Sequence, residues 1–353
     1  MTVTDRVREL AAEARAGDPA AGQAAGARHA ALAKPPGSLG DLERLGGQLA
    51  AIAGACPPPV PTDPALVIAV GDHGVHAQGV TPWPRDVTRQ MVAAFCQGRA
   101  AANALAATIG ARVTVLDVGV AGPVASHPLL RAARVRDGTA DLLDGPAMSC
   151  DDAARAVLAG AGVAEELLAA GADLLLTGDM GIANTTPAAC LVAALTGSDP
   201  EQVTGRGSGI DAATLARKQA VVRGALERHG DDRDPLAVLA SLGGLEHAAL
   251  VGVVLTAAAE AVPVILDGIS TVGAALVAVA LNPAVADYVV AGHRSVEPGA
   301  AIGLAHLDLV PLLDLGMRLG EGTGALLAVP LVQSAARLLH DVATLAELQD
   351  QLA

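Results

Sequence analysis

The sequence predicts an α/β fold: an open, mainly parallel, Rossmann-like sheet flanked by helices, with a small helical domain formed by the two chain ends. Five short, mostly apolar runs alternate with segments whose apolar residues recur at i, i+3 and i+4. Continuous apolar runs of this kind are typical of a parallel sheet that helices cover on both faces. The expected strands are 66–70, 113–118, 173–177, 262–266 and 288–291, and the expected helices between them include 86–106, 151–169 and 212–228.

The chain ends differ from this alternating middle part. Residues 1–60 show helical patterns and a loop, and the proline-rich CPPPVPTDP at 56–64 is typical of a domain boundary. Residues from 324 onward again indicate a long helix. We therefore expect an α/β catalytic domain at 61–323 and a small domain in which helices of 324–353 pack on those of 1–60.

Composition and charge exclude several classes of partner. The chain has 353 residues, with 37 Asp and Glu against 23 Lys and Arg, so its formal net charge is −14. Nucleic acids and anionic membrane surfaces would repel such a protein, and one Phe, one Trp and one Tyr cannot form a base-stacking platform. The uncharged stretch 268–286 has the length of a membrane span, but its alanine, glycine and polar residues make it only weakly apolar. We therefore expect neither nucleic acid nor membrane as a partner.

The cysteines and histidines give no sign of a metal site or a disulfide framework. Four cysteines lie at least 40 residues apart without a CxxC pair, and the N-terminus has no apolar signal core, so we expect reduced thiols and a cytoplasmic protein. The histidines are scattered, and neither an HExxH motif nor a GxSxG elbow occurs. We therefore expect no metal, no cofactor and no covalent nucleophile.

Glycine-rich turns that carry polar residues follow four of the expected strands. They are GDHG at 71–74, GDMG at 178–181, DG at 267–268 and GHRS at 292–295. The carboxyl ends of parallel strands gather ligand groups at one edge of a sheet. The turns therefore favour an enzyme or a small-ligand binder over a scaffold.

Two glycine-rich loops are candidates for anion binding. GDMGIANTTPAAC at 178–190 places a glycine turn before a helix, where backbone N–H groups and the side chains of Asn184, Thr185 and Thr186 suit a phosphate or carboxylate. Asn and Thr are also ordinary N-caps, so the pattern alone leaves both interpretations open. GRGSGID at 205–211 is neither a Rossmann fingerprint nor a Walker A sequence and is weak evidence by itself.

Three charged residues stand out from their surroundings. Lys34 and Lys218 are the only lysines beside 21 arginines, which suggests that a compact ammonium is needed there, for example against a phosphate, although chance retention on the surface is the alternative. Glu321 lies between two glycines ahead of a strongly apolar helix. An apolar wall would raise the pKa of Glu321 towards that of a general base. The alternative is a structural role, in which the carboxylate lies at the start of the helix and interacts with the positive end of its dipole.

Seven motifs follow one another along most of the chain. They are KPPGSLGDLERLGGQLA (34–50), GDHGVHAQGVTPWPRDVTRQMV (71–92), GDMGIANTTPAA (178–189), LGGLEHAALVG (242–252), VPVILDG (262–268), GHRSVEPGA (292–300) and MRLGEGTGALLAVPL (317–331). In this order they resemble the nicotinate-nucleotide:dimethylbenzimidazole phosphoribosyltransferase family, which acts in assembly of the cobalamin nucleotide loop. The resemblance covers roughly residues 30–340.

The resemblance implies a parallel α/β domain, a small helical domain and a homodimer. It also implies transfer of the 5-phosphoribosyl group from nicotinate mononucleotide to 5,6-dimethylbenzimidazole, which gives α-ribazole 5′-phosphate and nicotinate with inversion at the anomeric carbon. Nicotinate leaves from a cationic pyridinium and needs no general acid. The incoming benzimidazole must lose its N–H proton, so a carboxylate base is the main requirement.

The resemblance also assigns roles residue by residue. Glu321 matches the base in the RLGEG motif, and Trp83, Met91 and Leu319 match positions near the benzimidazole. Asp179 stands where the family usually has glutamate, so its contact with a ribose hydroxyl would be longer or water-mediated. The positions that match nucleotide contacts are Asp179, Gly181, Asn184, Thr185, Gly207, Lys218, Asp267, Gly268 and Ser295.

Three alternatives remain open from the sequence. The shorter Asp179 motivates a non-catalytic relative that binds nucleotides or azoles. The same reaction with a purine, a phenolic or another benzimidazole is a second, because one sequence does not fix the pocket shape. A nicotinamide-dependent oxidoreductase rests only on fold class and glycine content, and the chain lacks GxGxxG after its first strand.

Overall fold

The computed structural model describes residues 1–350 and shows a six-stranded sheet with helices on both faces. The strands are β1 (Pro64–Gly71), β2 (Arg112–Gly119), β3 (Leu130–Ala132), β4 (Leu174–Met180), β5 (Val264–Leu266) and β6 (Val289–Ala291). The helices are α1 (Val3–Glu13), α2 (Pro19–Ala31), α3 (Asp41–Ala53), α4 (Val87–Cys96), α5 (Ala101–Ile109), α6 (Cys150–Ala169), α7 (Thr185–Thr196), α8 (Pro200–Val203), α9 (Ala212–His229), α10 (Pro235–Leu242), α11 (Leu245–Ala259), α12 (Ile269–Leu281), α13 (Pro298–His306), α14 (Thr323–Asp341) and α15 (Leu345–Asp350).

The sheet confirms the predicted α/β class. Its strand order is β3-β2-β1-β4-β5-β6, and every neighbouring pair is parallel. The chain winds outward from β1 on one side and from β4 on the other. At such a switch point the loops that leave neighbouring strands diverge and open a crevice beyond the carboxyl ends of the strands.

Helices on both faces explain why the strands are apolar along their length. Alternate residues of a strand point to opposite faces. Ala65 and Val67 of β1 belong to the core that α6, α11 and α12 cover, whereas Leu66 and Ile68 belong to the core under α3, α5 and α14. All four side chains are fully buried.

Close helix packing explains the small-aliphatic core. The neighbouring helices α6 and α11 meet at Gly160 and Gly252. A Cβ at Gly160 would overlap the carbonyl oxygen of Ala249, and a Cβ at Gly252 would overlap that of Val157. The two backbones therefore touch directly, and larger residues have no space at this crossing.

Helices from the two chain ends pack on each other. α14 contacts α3 and α2, and the buried side chains of Ala25, Ala50 and Leu339 form one cluster between them. Leu32 and Thr344 form an isolated antiparallel bridge. α1 instead packs on α6 and α11 beside the sheet. The domain boundaries at 60 and 323 stay predictions.

The structure corrects two details of the sequence interpretation. The single helix expected at 86–106 is divided into α4 and α5, with Gly98 between them at φ +71°. The edge strand β3 was not expected. The uncharged stretch 268–286 contains α12 and overlaps the 3₁₀ helix Pro283–Tyr288, and within residues 1–350 no helix is long and apolar enough to cross a membrane.

Candidate active site

A cavity of about 740 Å³ lies beyond the carboxyl ends of the strands. Its walls come from the loops after β4, β5 and β6, from residues 80–91, and from the segment 316–321 that leads into α14. The volume lies in the range of pockets that take ligands of drug size. The cavity therefore lies at the sheet edge where the sequence predicted a site.

Glu321 lies on an unusual turn at the wall of this cavity. Gly320, Glu321 and Gly322 have φ values of +85°, +62° and +80°, so three successive residues adopt the left-handed conformation. This conformation costs about 1–2 kcal/mol for a residue with a side chain. The two flanking glycines adopt positive φ values at little cost, whereas Glu321 adopts its positive φ at a cost in backbone strain.

The surroundings of the Glu321 carboxyl suit a proton acceptor. The residue is 5% exposed, and its Oε2 has no hydrogen-bond partner among the described residues. Burial raises the pKa of Glu321 to about 7, and the backbone N–H of Ala102 opposes this rise only in part. A carboxyl group with this pKa is ionised half the time near neutral pH and accepts a proton readily.

A buried carboxylate holds the turn from behind. Asp267 follows β5 and accepts hydrogen bonds from the backbone N–H groups of Gly322 (3.0 Å, to Oδ2) and Gly324 (2.7 Å, to Oδ1). Nε2 of His293 lies 3.3 Å from Oδ1 of Asp267. Asp267 is 1% exposed and lies outside the cavity wall. The expectation that Asp267 contacts the nucleotide does not match this placement.

Asp179 is the penultimate residue of β4 and lines the cavity. Its Oδ2 accepts a hydrogen bond of 2.5 Å from the side-chain amide of Asn184, and burial raises its pKa to about 6. Asn184 is the first residue before α7, but its side chain does not cap that helix. The structure therefore favours a role of Asn184 in the cavity wall over the simple N-cap interpretation.

Lys218 is the cation deepest in the cavity wall. Its Nζ donates to Oγ1 of Thr185 (2.7 Å) and to the carbonyl oxygen of Gly205 (3.1 Å). The side chain is 2% exposed, and burial lowers its pKa to about 8. This ammonium and the loop around Thr185 together suit an anionic group. Lys34, by contrast, lies outside the cavity and pairs with Glu43 at 2.7 Å.

The mouth of the cavity is apolar on one side. Trp83, Met91 and Leu319 line it, and Trp83 and Leu319 are 50% and 57% exposed. Val80, Val87 and Ile182 extend the same apolar surface inward. A flat, apolar ring can pack here without the loss of a buried polar contact.

The structure brings twelve of the thirteen sequence-predicted site residues together in this cavity, and Asp267 is the exception. The twelve are Trp83, Met91, Asp179, Gly181, Asn184, Thr185, Gly207, Lys218, Gly268, Ser295, Leu319 and Glu321.

Sequence reasoning did not select three charged residues that also line the cavity. Arg318 donates to the carbonyl oxygen of Gly207 (2.9 Å), and Oε1 of Glu297 accepts from the Gly207 N–H (2.7 Å). Arg206 lies in the same loop. All three lie within segments that the sequence had already marked, but nothing in the local pattern separates them from ordinary surface charges.

A buried histidine–glutamate cluster lies behind the site and also went unnoticed. Nε2 of His73 and Nδ1 of His247 lie 2.9 Å and 2.8 Å from Oε1 of Glu246, and all three side chains are at most 1% exposed. Burial alone would raise the pKa of Glu246, but the two imidazoles lower it. No local spacing could reveal this contact, since His73 is far from the other two in sequence. Among the described residues no group of three or more His, Cys, Asp or Glu side chains is arranged to hold a metal ion.

Comparisons with known proteins agree with this geometry. Residues 14–349 match a family model described as phosphoribosyltransferase. The chain is 56% identical over 328 residues to the nicotinate-nucleotide–dimethylbenzimidazole phosphoribosyltransferase of Salinispora tropica, and the match covers 89% of this chain and 90% of the relative. It is 52% identical over 331 residues to the protein of that name from Chloroflexus aggregans, and this match covers 94% of each.

A solved structure is similar along nearly the whole chain. The crystal structure of the protein of the same name from Thermus thermophilus matches with a TM-score of 0.90 and 46% identity, and the match covers 94% of this chain and 98% of that one. The sequence and structure comparisons thus agree over nearly the whole chain. The chain belongs to the nicotinate-nucleotide–dimethylbenzimidazole phosphoribosyltransferase family and is a transferase enzyme.

Proposed function

We propose that the enzyme transfers the 5-phosphoribosyl group of nicotinate mononucleotide to 5,6-dimethylbenzimidazole, giving α-ribazole 5′-phosphate and nicotinate. The observation that carries the proposal is the buried Glu321 carboxyl, whose Oε2 has no hydrogen-bond partner among the described residues and which lines a cavity with a cationic end and an apolar side. The relatives' names supply the substrate pair. The cavity supplies places of matching chemistry for both.

Each substrate has a place in the proposed complex. The phosphate lies near Lys218 and Thr185, where an ammonium, a hydroxyl and the start of α7 are combined. The ribose lies against Asp179 near the end of β4 and against Gly268 in the loop after β5. The benzimidazole packs between Trp83, Met91 and Leu319.

The proposed step is a direct displacement at the anomeric carbon. One ring nitrogen of dimethylbenzimidazole forms the new bond to C1′ while its other nitrogen gives its proton to the Glu321 carboxylate. The bond between C1′ and the pyridinium nitrogen breaks, and its electron pair returns to nicotinate, which leaves as a neutral ring with its carboxylate. Since both faces of the ribose are occupied, the configuration at C1′ inverts. Fixed positions of the two rings supply much of the acceleration.

The test is chromatography of the purified protein after incubation with nicotinate mononucleotide and dimethylbenzimidazole. We expect a new α-ribazole phosphate peak with stoichiometric nicotinate. Turnover with adenine or a phenol, but not with dimethylbenzimidazole, would keep the reaction class and replace the substrate. No release of nicotinate with any base would overturn the proposal and favour a binding protein.

We also propose that the enzyme is a homodimer, as its resemblance to the family implies. Two large apolar side chains that are adjacent in sequence to cavity-lining residues remain exposed in the single chain: Val296 at 56% and Leu315 at 60%. A second subunit that covers them would remove this apolar surface from water. Light scattering coupled to size-exclusion chromatography tests this, and a monomer mass at micromolar concentration would contradict it.

A further inference from the structure

The turn that carries Glu321 is closed locally by Thr323, whose N–H (3.0 Å) and hydroxyl (2.8 Å) both donate to the carbonyl oxygen of Gly320. The N–H groups of Gly322 and Gly324 have their acceptor outside the turn. Three successive left-handed residues place the glutamate. The helix that follows, α14, has Gly322 as its N-cap, which has no side chain to accept from the first N–H groups. Orphan N–H groups at a helix start need an acceptor from elsewhere when they are buried.

Asp267 supplies that acceptor from another part of the chain. One carboxylate oxygen accepts from Gly322 and the other from Gly324, so a single side chain satisfies two N–H groups of the first turn. Its negative charge also lies at the positive end of the α14 dipole. Both bonds are buried, which fixes the backbone on the C-terminal side of Glu321.

The position of Asp267 is itself fixed. Nε2 of His293 lies 3.3 Å from Oδ1, and His293 is 2% exposed. The His293 ring packs on Gly324 so closely that a Cβ there would overlap it. On the other side of the turn, a Cβ at Gly178 of β4 would lie 2.7 Å from the nitrogen of Gly322. The turn is therefore held between β4, Asp267 and His293.

We infer that Asp267, backed by His293, is a positioning residue for the transfer reaction, which acts through the backbone of Gly322 and Gly324 and makes no contact with the nucleotide. The inference rests on the proposed role of Glu321 as the base. It replaces the nucleotide contact that the family resemblance implied for Asp267. A displacement of the catalytic base by about 1 Å can lower the rate roughly 100-fold. The bonds that fix this turn should therefore affect the rate of the reaction strongly.

The Asp267 charge has a second, measurable effect on Glu321. Charged groups surround the glutamate from each packed element: Asp179 in β4, Asp267 after β5, His293 after β6, and Lys218, Glu297, Arg206 and Arg318 around the cavity. After burial itself, the negative charges of Asp267 and Asp179 raise the pKa of Glu321. Loss of the Asp267 charge should therefore lower that pKa.

The test variant is Asp267→Asn, which keeps one acceptor, turns the other group into a donor and removes the charge. We expect kcat to fall roughly 10- to 100-fold while the KM for nicotinate mononucleotide stays within about two-fold. The acidic limb of kcat/KM should move to lower pH. A KM that rises ten-fold or more while the acidic limb keeps its position would overturn the inference and restore a nucleotide contact.

Asp173→Asn is the matched control. Asp173 precedes β4 at the opposite edge of the sheet, and its two oxygens likewise accept from two backbone N–H groups, those of Thr62 and Asp63, both at 2.7 Å. This variant loses the same kind of bond far from the cavity. We expect it to lower the unfolding temperature without a change in kcat or in the acidic limb. A pH limb that moves equally in both variants would count against a specific role of Asp267.

Two further measurements separate this inference from the proposed function. Calorimetric titration of nicotinate mononucleotide and the ¹³C carboxyl titration of Glu321, assigned from its loss in Glu321→Gln, need no turnover. If the wild-type enzyme were inactive, unchanged nucleotide affinity and a lowered Glu321 pKa in Asp267→Asn would still support the positioning role. If Asp267→Asn did not fold, His293→Gln would take its place: kcat lowered at unchanged nucleotide affinity supports the inference, and unchanged kcat overturns it.

Discussion

At the residue scale, the Glu321 carboxyl links rate to pH. Because its pKa is raised to about 7, the base form is scarce at pH 6 and predominates at pH 8. We expect kcat/KM for the benzimidazole to rise with pH through about 7 and then to level off. Glu321→Gln should lower kcat by roughly 100- to 10,000-fold and remove this limb. Wild-type activity in that variant would refute the role of Glu321 as base.

The same residue should lower the stability of the fold. Burial disfavours the ionised form of Glu321 in the folded protein, and this lowers the free energy of unfolding. The loss is absent below the pKa of the unfolded chain, near 4.5, grows as the pH rises to about 7, and is constant above that pH. Glu321→Gln should therefore unfold with about 1–3 kcal/mol more free energy at pH 8 and with a smaller advantage at pH 5. Urea unfolding at both values is the measurement. An equal or lower stability at pH 8 would contradict it.

Trp83 provides a direct probe of the apolar side of the cavity. It is the only tryptophan in the chain, it lines the cavity, and half of its surface is exposed. We expect its fluorescence to change when dimethylbenzimidazole binds, since the ring would replace water around the indole. Trp83→Phe should lose the signal while remaining folded. Emission that is unchanged at saturating base would place the benzimidazole elsewhere.

At the element scale, the crossing of α6 and α11 requires glycine at position 160 but not at position 162 on the same helix. Gly160→Ala forces a Cβ onto the Ala249 backbone and should cost about 1–3 kcal/mol or more. Gly162→Ala lies on the same helix with nothing within 4 Å of its Cβ, and should stabilise by about 0.5–1 kcal/mol. Urea unfolding of the two variants compares them directly. Equal effects would show that helix propensity decides both.

The elements that the sequence could predict are those with a strong apolar signal. β1, β2, β4 and α9 were expected within a few residues, because long apolar or periodic runs leave few alternatives. The edge strand β3 has only three residues, of which two are exposed, so no burial pattern marks it. The break at Gly98 depends on its left-handed φ, and the apolar period does not show it.

The site was predictable where one segment carries the signal. The place of Glu321 ahead of an apolar helix predicted a raised pKa, and burial raises it to about 7. The left-handed turn itself was not predicted. The bonds from Gly322 and Gly324 to Asp267 span more than fifty residues, and only the fold brings them together. The same holds for the contact of His73 with Glu246. Tertiary partners of this kind leave no trace in local composition.

At the scale of the whole molecule, α14 connects the active site to the N-terminal helices. Its first residues follow Glu321, and Leu339 near its end is buried against Ala25 and Ala50. We expect Leu339→Ala to destabilise the protein by about 2–5 kcal/mol. Leu345→Ala, at a side chain that is 54% exposed, is the control and should cost far less. Thermal unfolding compares them, and similar losses would contradict the packing role of Leu339.

The close contact between Gly178 and the turn that carries Glu321 has a consequence for how this sequence can change over generations. Any side chain at position 178 would press on the backbone of Glu321 and Gly322, although residue 178 itself is absent from the cavity wall. A mutation at this position would displace the backbone of Glu321 without removing a residue that contacts the substrates. In a library of random variants selected for activity, position 178 should therefore tolerate as little variation as the base itself.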